Sequence, residues 1–189
     1  FAADPCFVTR TAERTHLYRL LPRYRTFREL EGSVFGEHAT TRILMLQSNE
    51  RGCFQRTWQT ADERFVLLPP GIARDRCKGD DADELRKSGR EEFGIGADDR
   101  LLLLLGANFR LKGLERAMRL LADLQPEYRS RTRLLAVGQA PPPWAHKLAH
   151  KLGIENYVTM LPGRRDIPRL LQAADLLVHP AYSDNTGTV

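Results

Sequence analysis

Cysteine is scarce and scattered in this sequence. The three residues Cys6, Cys53 and Cys77 form no CxxC pair and are odd in number. That argues against a disulfide framework or a zinc site and fits a reducing compartment, with the three read as small, half-buried thiols. Long apolar runs are missing too. The longest, Leu101 to Leu105, is strand-sized, well short of the roughly 18–20 residues that span a bilayer. Neither GxGxxG nor GxxxxGK[ST] occurs, which weakens ordinary dinucleotide and P-loop readings. No internal repeat or low-complexity tract is present, and neither end reads as a signal peptide or a capped terminus. The 189 residues therefore read as a fragment whose natural boundaries lie outside it.

What is present is positive charge. The formal net charge is +5, so an anionic partner is expected: nucleic acid, acidic lipid or a phosphorylated sugar. A hydrophobic fraction of 42% beside 28% charged residues is that of a soluble globular chain.

The chain divides near Pro69-Pro70-Gly71, which reads as a hinge or a surface turn. Residues 1–69 resemble the end of an α/β unit. A strand end at Phe1–Ala3 precedes a long helix, roughly Ala12 to Phe35, in which Pro22 sets a break or kink. The strand Ile43–Leu46, a helix through Cys53–Trp58 and the strand Arg64–Leu68 complete it. Residues 74–100 read as a polar, charge-mixed stretch.

From Leu101 the pattern turns regular. Strands are expected at Leu101–Leu105, Arg133–Val137, Tyr157–Leu161 and Asp175–His179. Helices are expected at Gly113–Leu124, Pro143–Leu152 and Asp166–Ala174, the last with an Asp cap and Pro168 in its first turn. Strands that are apolar throughout, joined by helical crossovers, make half of a doubly wound parallel sheet.

Ligands bind such sheets at the carboxyl ends of the strands. The first end reads Gly106-Ala107-Asn108-Phe109-Arg110-Leu111-Lys112-Gly113. A lysine just before a helix opposes the helix dipole by about 0.3–1 kcal/mol, a cost that an anion at the free N–H groups removes. Lys112 is thus a diphosphate ligand or a solvated loop lysine. The last end, His179 to Thr188, offers an acid followed by small residues, an arrangement that an Asx turn explains equally well.

The order PPGI (Pro69–Ile72), Gly106…Lys112-Gly113, Val137-Gly138, Gly163-Arg164 and AADLLVHPAY (Ala173–Tyr182) resembles the family-4 glycosyltransferases. Within them it is most similar to the lipopolysaccharide core α-glucosyltransferases. FAAD near the start and LYRL…RYR in the first helix extend the likeness over the whole chain. The resemblance implies a GT-B fold of two Rossmann-like domains, both incomplete here. Residues 1–69 would be the C-terminal part of the acceptor-side domain, and 70–189 the N-terminal part of the nucleotide-sugar-binding domain.

It also implies a retaining transfer of glucose from UDP-glucose to a heptose of the lipopolysaccharide core, with no metal or other cofactor. Lys112 would neutralise the diphosphate, with Gly106, Gly138 and Arg164 around the donor. Asp184 matches the first acid of the family's E-x7-E motif, with Gly187 and Thr188 as close backbone. Asp184 and Lys112 would carry the catalysis. Asp184 is shorter than the usual Glu, the second acid would fall at position 192, and the acceptor loop would precede Phe1. Asp4 reads as a helix cap or as a group facing the acceptor. The competing reading is a non-catalytic nucleotide-binding or membrane-docking module.

Between Arg10 and Arg28 lie six arginines and one acid, Glu13. Arg14, Arg19, Arg23, Arg25 and Arg28 border Leu17, Leu20, Leu21, Tyr24, Phe27 and Leu30. Such a face suits an anionic membrane or the phosphates of a lipopolysaccharide core, or else packs on a core with its charges solvated. No nucleic-acid recognition motif accompanies it. The implied location is cytoplasmic, peripheral on the inner face of the inner membrane.

Overall fold

The computed structural model describes residues 5–68 and 70–182. Two compact units divide the chain, Phe1–Gly71 and Ile72–Val189.

In the first unit the helix expected over roughly Ala12 to Phe35 is two pieces, and a short helix not expected from the sequence precedes it. Helix α1 spans Phe7–Arg10, a 3-10 turn spans His16–Leu20, and α2 spans Pro22–Phe35. The reason is Pro22. Its ring fixes φ for a first helical turn and its missing N–H does no harm there, so it starts α2 instead of kinking a longer helix. Strand β1 (Ile43–Met45), helix α3 (Arg51–Trp58) and strand β2 (Phe65–Leu67) follow. The two strands are parallel, with Ile43 opposite Phe65. Cys6, Ile43, Met45 and Phe54 form the core, where the rings of Phe35 and Phe54 stack 4.1 Å apart. The Arg64 guanidinium donates to the carbonyls of Thr41, Gly36 and Val34. It thereby satisfies acceptors that the end of α2 leaves open.

The second unit is a four-stranded parallel sheet in the order β5-β4-β3-β6. Its strands are β3 (Arg100–Leu105), β4 (Thr132–Gly138), β5 (Val158–Pro162) and β6 (Leu176–Leu177). The fourth strand is shorter than expected, although Asp175 and Val178 still donate to the Leu101 and Leu103 carbonyls on either side of it. Helices α5 (Leu114–Asp123) and α7 (Pro143–Leu152) pack with Leu102, Leu104, Leu134 and Ala136 on one face. Helix α8 (Ile167–Ala173) packs with Leu101, Leu103, Leu105, Leu135 and Val137 on the other. Period-2 alternation thus sends adjacent leucines into separate cores, which explains a run with no polar partner face. Leu103 and Leu104 are both fully buried.

Two helices of the second unit were not expected from the sequence. Short α6 (Pro126–Ser130) precedes β4, and α4 (Ala82–Glu92) occupies the stretch read as polar. Helix α4 packs on α8 through small residues: a Cβ on Gly89 would lie 2.8 Å from that of Ala173. It also clamps the end of α8 with charge. Arg86 and Arg90 both pair with Asp175, and Arg86 donates to the carbonyls of Gln172, Ala173 and Ala174. These links leave little apolar periodicity to read.

Candidate functional site at the carboxyl rim of the parallel sheet

The loops after β3, β4 and β6 crowd together at one end of the second unit, and glycine makes this possible. Gly106 and Gly138 hold φ of +155° and +154°, and Gly113 holds +81°. A Cβ on Gly138 would fall 2.1 Å from the Gly106 carbonyl oxygen, and one on Gly113 would fall 2.0 Å from that of Pro180. Neither position admits a side chain without displacing backbone.

At the ends of β3, β4 and β5 lies a cavity of about 260 Å³, walled by Leu105, Gly106, Ala107, Lys112, Val137, Gly138, Gly163, Arg164 and Ile167. The loop carrying Lys112 is well anchored. Phe109 is fully buried beneath it, the Asn108 side chain accepts from Leu111 N at 3.0 Å, and Leu111 O accepts from Tyr182 N at 2.9 Å. Gly113, left-handed, then caps α5, so the first amides of α5 lie next to Lys112 in the chain. The Lys112, Gly113 and Leu114 amides are themselves committed to the Asn108, Arg110 and Phe109 carbonyls, so what adjoins the cation is the positive end of the α5 dipole, an arrangement that favours an anion.

Arg164 enters the wall as part of a quartet. Its guanidinium donates from Nε and Nη2 to the two oxygens of Asp166, each at 2.8 Å. It also donates to both oxygens of Glu92, at 2.8 and 3.3 Å. Arg169 pairs with the same two carboxylates. Hydrogen bonding from Arg164 is the main reason that Asp166 lies well below the usual carboxylate range. Desolvation pushes Glu92 upward, but hydrogen bonds from Arg164 and Arg169 more than offset it, so it too is lowered. The same pairs raise Arg164, Asp166 foremost. Arg164 therefore contributes a rigid, charge-compensated plane, and Lys112 supplies the cavity's other cationic wall.

This arrangement corrects one expectation. Asp166 occupies the N-cap position of α8 but makes no side-chain cap bond, because Arg164 and Arg169 occupy its carboxylate. Of the residues singled out from sequence, Gly106, Lys112, Gly138 and Arg164 meet in this cavity. Asp184, Gly187, Thr188 and Asp4 lie outside the described residues, as does Pro69 of the expected hinge. Sequence reading missed Glu92 and Arg169. The i, i+3 spacing of Asp166 and Arg169 could have pointed to one of them, whereas Glu92 comes from the unforeseen α4. Among the described residues, no group of three or more His, Cys, Asp or Glu side chains could hold a metal ion.

In the first unit, Arg14, Arg19, Arg23, Arg25 and Arg28 are all exposed. So are their apolar neighbours: Leu17 is 74% exposed, Leu20 62% and Leu30 59%. Tyr24 alone of the expected apolar face is buried. Among the described residues, no helix is long and apolar enough to cross a membrane.

The family model for glycosyl transferases of group 1 matches residues 86–189. Lipopolysaccharide glucosyltransferase WaaG of Escherichia coli strain K12 is 40% identical over 190 aligned positions, which cover 100% of this chain and 51% of that protein. D-inositol 3-phosphate glycosyltransferase of Streptomyces scabiei is 31% identical, covering 82% of this chain and 38% of that protein. The chain thus spans about half the length of WaaG, and less of the second relative. A crystal structure of WaaG, described as a glycosyltransferase involved in lipopolysaccharide biosynthesis, superposes with a TM-score of 0.86 over 97% of this chain and 50% of that one, at 40% identity. Anabaena HepE in complex with UDP and glucose superposes with a TM-score of 0.70 over 88% of this chain and 45% of that one. At 21% identity that likeness speaks for the fold alone.

Proposed function

Since the chain belongs to the glycosyl transferases of group 1 and has a GT-B-type fold, we propose that the whole protein is a retaining transferase. It moves glucose from UDP-glucose onto a heptose of the lipopolysaccharide core. Residues 70–189 serve as the donor-binding part and 1–69 as acceptor-side structure. The observation that carries this reading is the cavity in which Lys112 meets the glycine-lined ends of β3 and β4.

The chemistry follows from charge. As the bond from the anomeric carbon to the diphosphate breaks, negative charge builds on the departing UDP. Groups already aimed at that charge lower the barrier most, because they need no reorganisation during the step. Lys112 supplies a cation, the N-terminal end of α5 supplies its dipole, and the bare backbone at Gly106 and Gly138 lets phosphate approach closely. Arg164, fixed by Asp166 and Glu92, borders the bound donor. Asp184 takes hydroxyls of the transferred sugar, and Gly187 and Thr188 bring backbone close to the donor.

The exposed Arg14, Arg19, Arg23, Arg25 and Arg28, interleaved with exposed leucines, support docking on an anionic membrane surface. In this reading the protein works at the inner face of the inner membrane, where a lipid-linked acceptor is available. The test is turnover: the full-length protein should release UDP from UDP-glucose in the presence of a heptose-bearing core acceptor. Absence of turnover with intact UDP-glucose binding would leave only a binding module.

A further inference from the structure

A second concavity lies wholly within the first unit and plays no part in the donor reading. It encloses about 350 Å³ among Arg19, Tyr24, Arg25, Arg28, Glu29, Gly32 and Trp58. Its floor is aromatic and fixed. A Cβ on Gly32 would fall 2.8 Å from the Trp58 ring, so α2 lies directly against the indole. The indole N–H donates to Glu31 Oε2 at 3.1 Å, and Glu31 in turn accepts from the backbone amides of Phe7 and Val8. Tyr24 is held between the rings of Phe7 and Tyr18.

Over this floor stand cations with little to neutralise them. The guanidinium groups of Arg25 and Arg28 share one helix face and, among the described residues, make neither an ion pair nor a hydrogen bond. Arg19 makes one hydrogen bond, to the Ala12 carbonyl at 3.3 Å. Like charges three positions apart on a helix repel unless an anion lies between them. Glu29, on the same wall, pairs with none of the three. An acid that leaves adjacent cations alone, beside aromatic faces, asks for more than a bare anion.

We infer that this concavity binds a phosphorylated polyol, either a sugar phosphate or a glycerophosphate headgroup. Guanidinium groups of Arg19, Arg25 and Arg28 take the phosphate oxygens, the Glu29 carboxylate accepts from hydroxyls, and the C–H face rests on Trp58 and Tyr24. A simple anion would meet repulsion from Glu29, and a neutral sugar would leave the arginines uncompensated. Arg14 and Arg23 instead lie over the Tyr18 and Phe27 rings and are not among the walls, so the site is separable from the surrounding basic surface.

The test titrates full-length protein, with saturating UDP to occupy any donor site, with sn-glycerol 3-phosphate, glucose 6-phosphate, inorganic phosphate and glycerol. Calorimetry should show the two phosphate esters binding more tightly than inorganic phosphate, and glycerol not binding. Arg25→Gln/Arg28→Gln should weaken the esters by about tenfold or more, while Glu29→Gln weakens the esters and strengthens inorganic phosphate. Lys112→Ala should leave ester binding unchanged. Competition by phosphatidylglycerol vesicles would identify the headgroup as the source, and lack of competition the soluble sugar phosphate. Inorganic phosphate binding as tightly as the esters would overturn the inference. So would failure of both esters to bind, or unchanged ester affinity in a folded Arg25→Gln/Arg28→Gln variant, and neither result would touch the donor site.

Discussion

Gly138 and the Gly106 carbonyl oxygen approach so closely that a single added methyl group cannot fit: a Cβ on Gly138 would lie 2.1 Å from that oxygen. Two adjacent strands thereby end with bare backbone facing one cavity. The same contact that packs the rim leaves it bare of side chains, as the proposed donor site requires.

Gly138→Ala should therefore cost stability twice, through the clash and through a φ of +154° that alanine resists. A loss of about 1–3 kcal/mol is expected from strain of this kind. Gly153→Ala is the control, since its φ is +65° but nothing lies within 4 Å of the added Cβ. Urea unfolding of both variants checks the difference. Equal losses would mean that the rim relaxes freely.

The sheet of the second unit was legible because its strands are apolar on both faces, and α7 runs over Pro143–Leu152 as the sequence indicated. Pro at its start and left-handed Gly153 at its end are local signals that no tertiary contact overrides. Helix α4 was illegible for the opposite reason. Gly89, Arg86 and Arg90 fix it through a small-residue contact and charge, neither of which leaves an apolar stripe. Lys112 could be found because it stands beside a helix start. The quartet around Arg164 could not, because Glu92 lies 72 residues away and only the fold brings it near.

Acid should loosen this quartet. Asp166 and Glu92 are both held below their ordinary values. Their contribution is complete above the unfolded values, near 3.9 and 4.3, and drains away as pH falls through the lower folded ones. Solvent screening keeps it modest, because each side chain is about one-third exposed. Thermal unfolding of the wild type should lose midpoint progressively as pH falls below about 4, and Asp166→Asn should flatten that limb. Parallel curves for the two proteins would assign the acid sensitivity elsewhere.

Membrane docking through the basic face should depend on charge. The full-length protein should bind vesicles containing anionic lipid more tightly than neutral ones, with affinity falling as salt rises. Arg14→Gln/Arg23→Gln should weaken this binding without altering phosphate-ester affinity in the neighbouring concavity. Equal binding to neutral and anionic vesicles would remove the docking proposal.

Core packing gives a prediction independent of any ligand. Leu103 is fully buried in the core that includes Leu170. Leu103→Ala should lose about 2–5 kcal/mol, as large-to-small core changes do, and calorimetric unfolding would register it. A loss under 1 kcal/mol would contradict the close packing described.

The most direct measurement is a UDP titration of the full-length protein carrying Lys112→Ala. A charge-assisted contact of about 1.5–3 kcal/mol should be lost, weakening UDP roughly ten- to hundredfold, with the thermal midpoint little changed. UDP affinity equal to that of the wild type would show that the nucleotide binds away from the cavity between Gly106, Lys112 and Gly138.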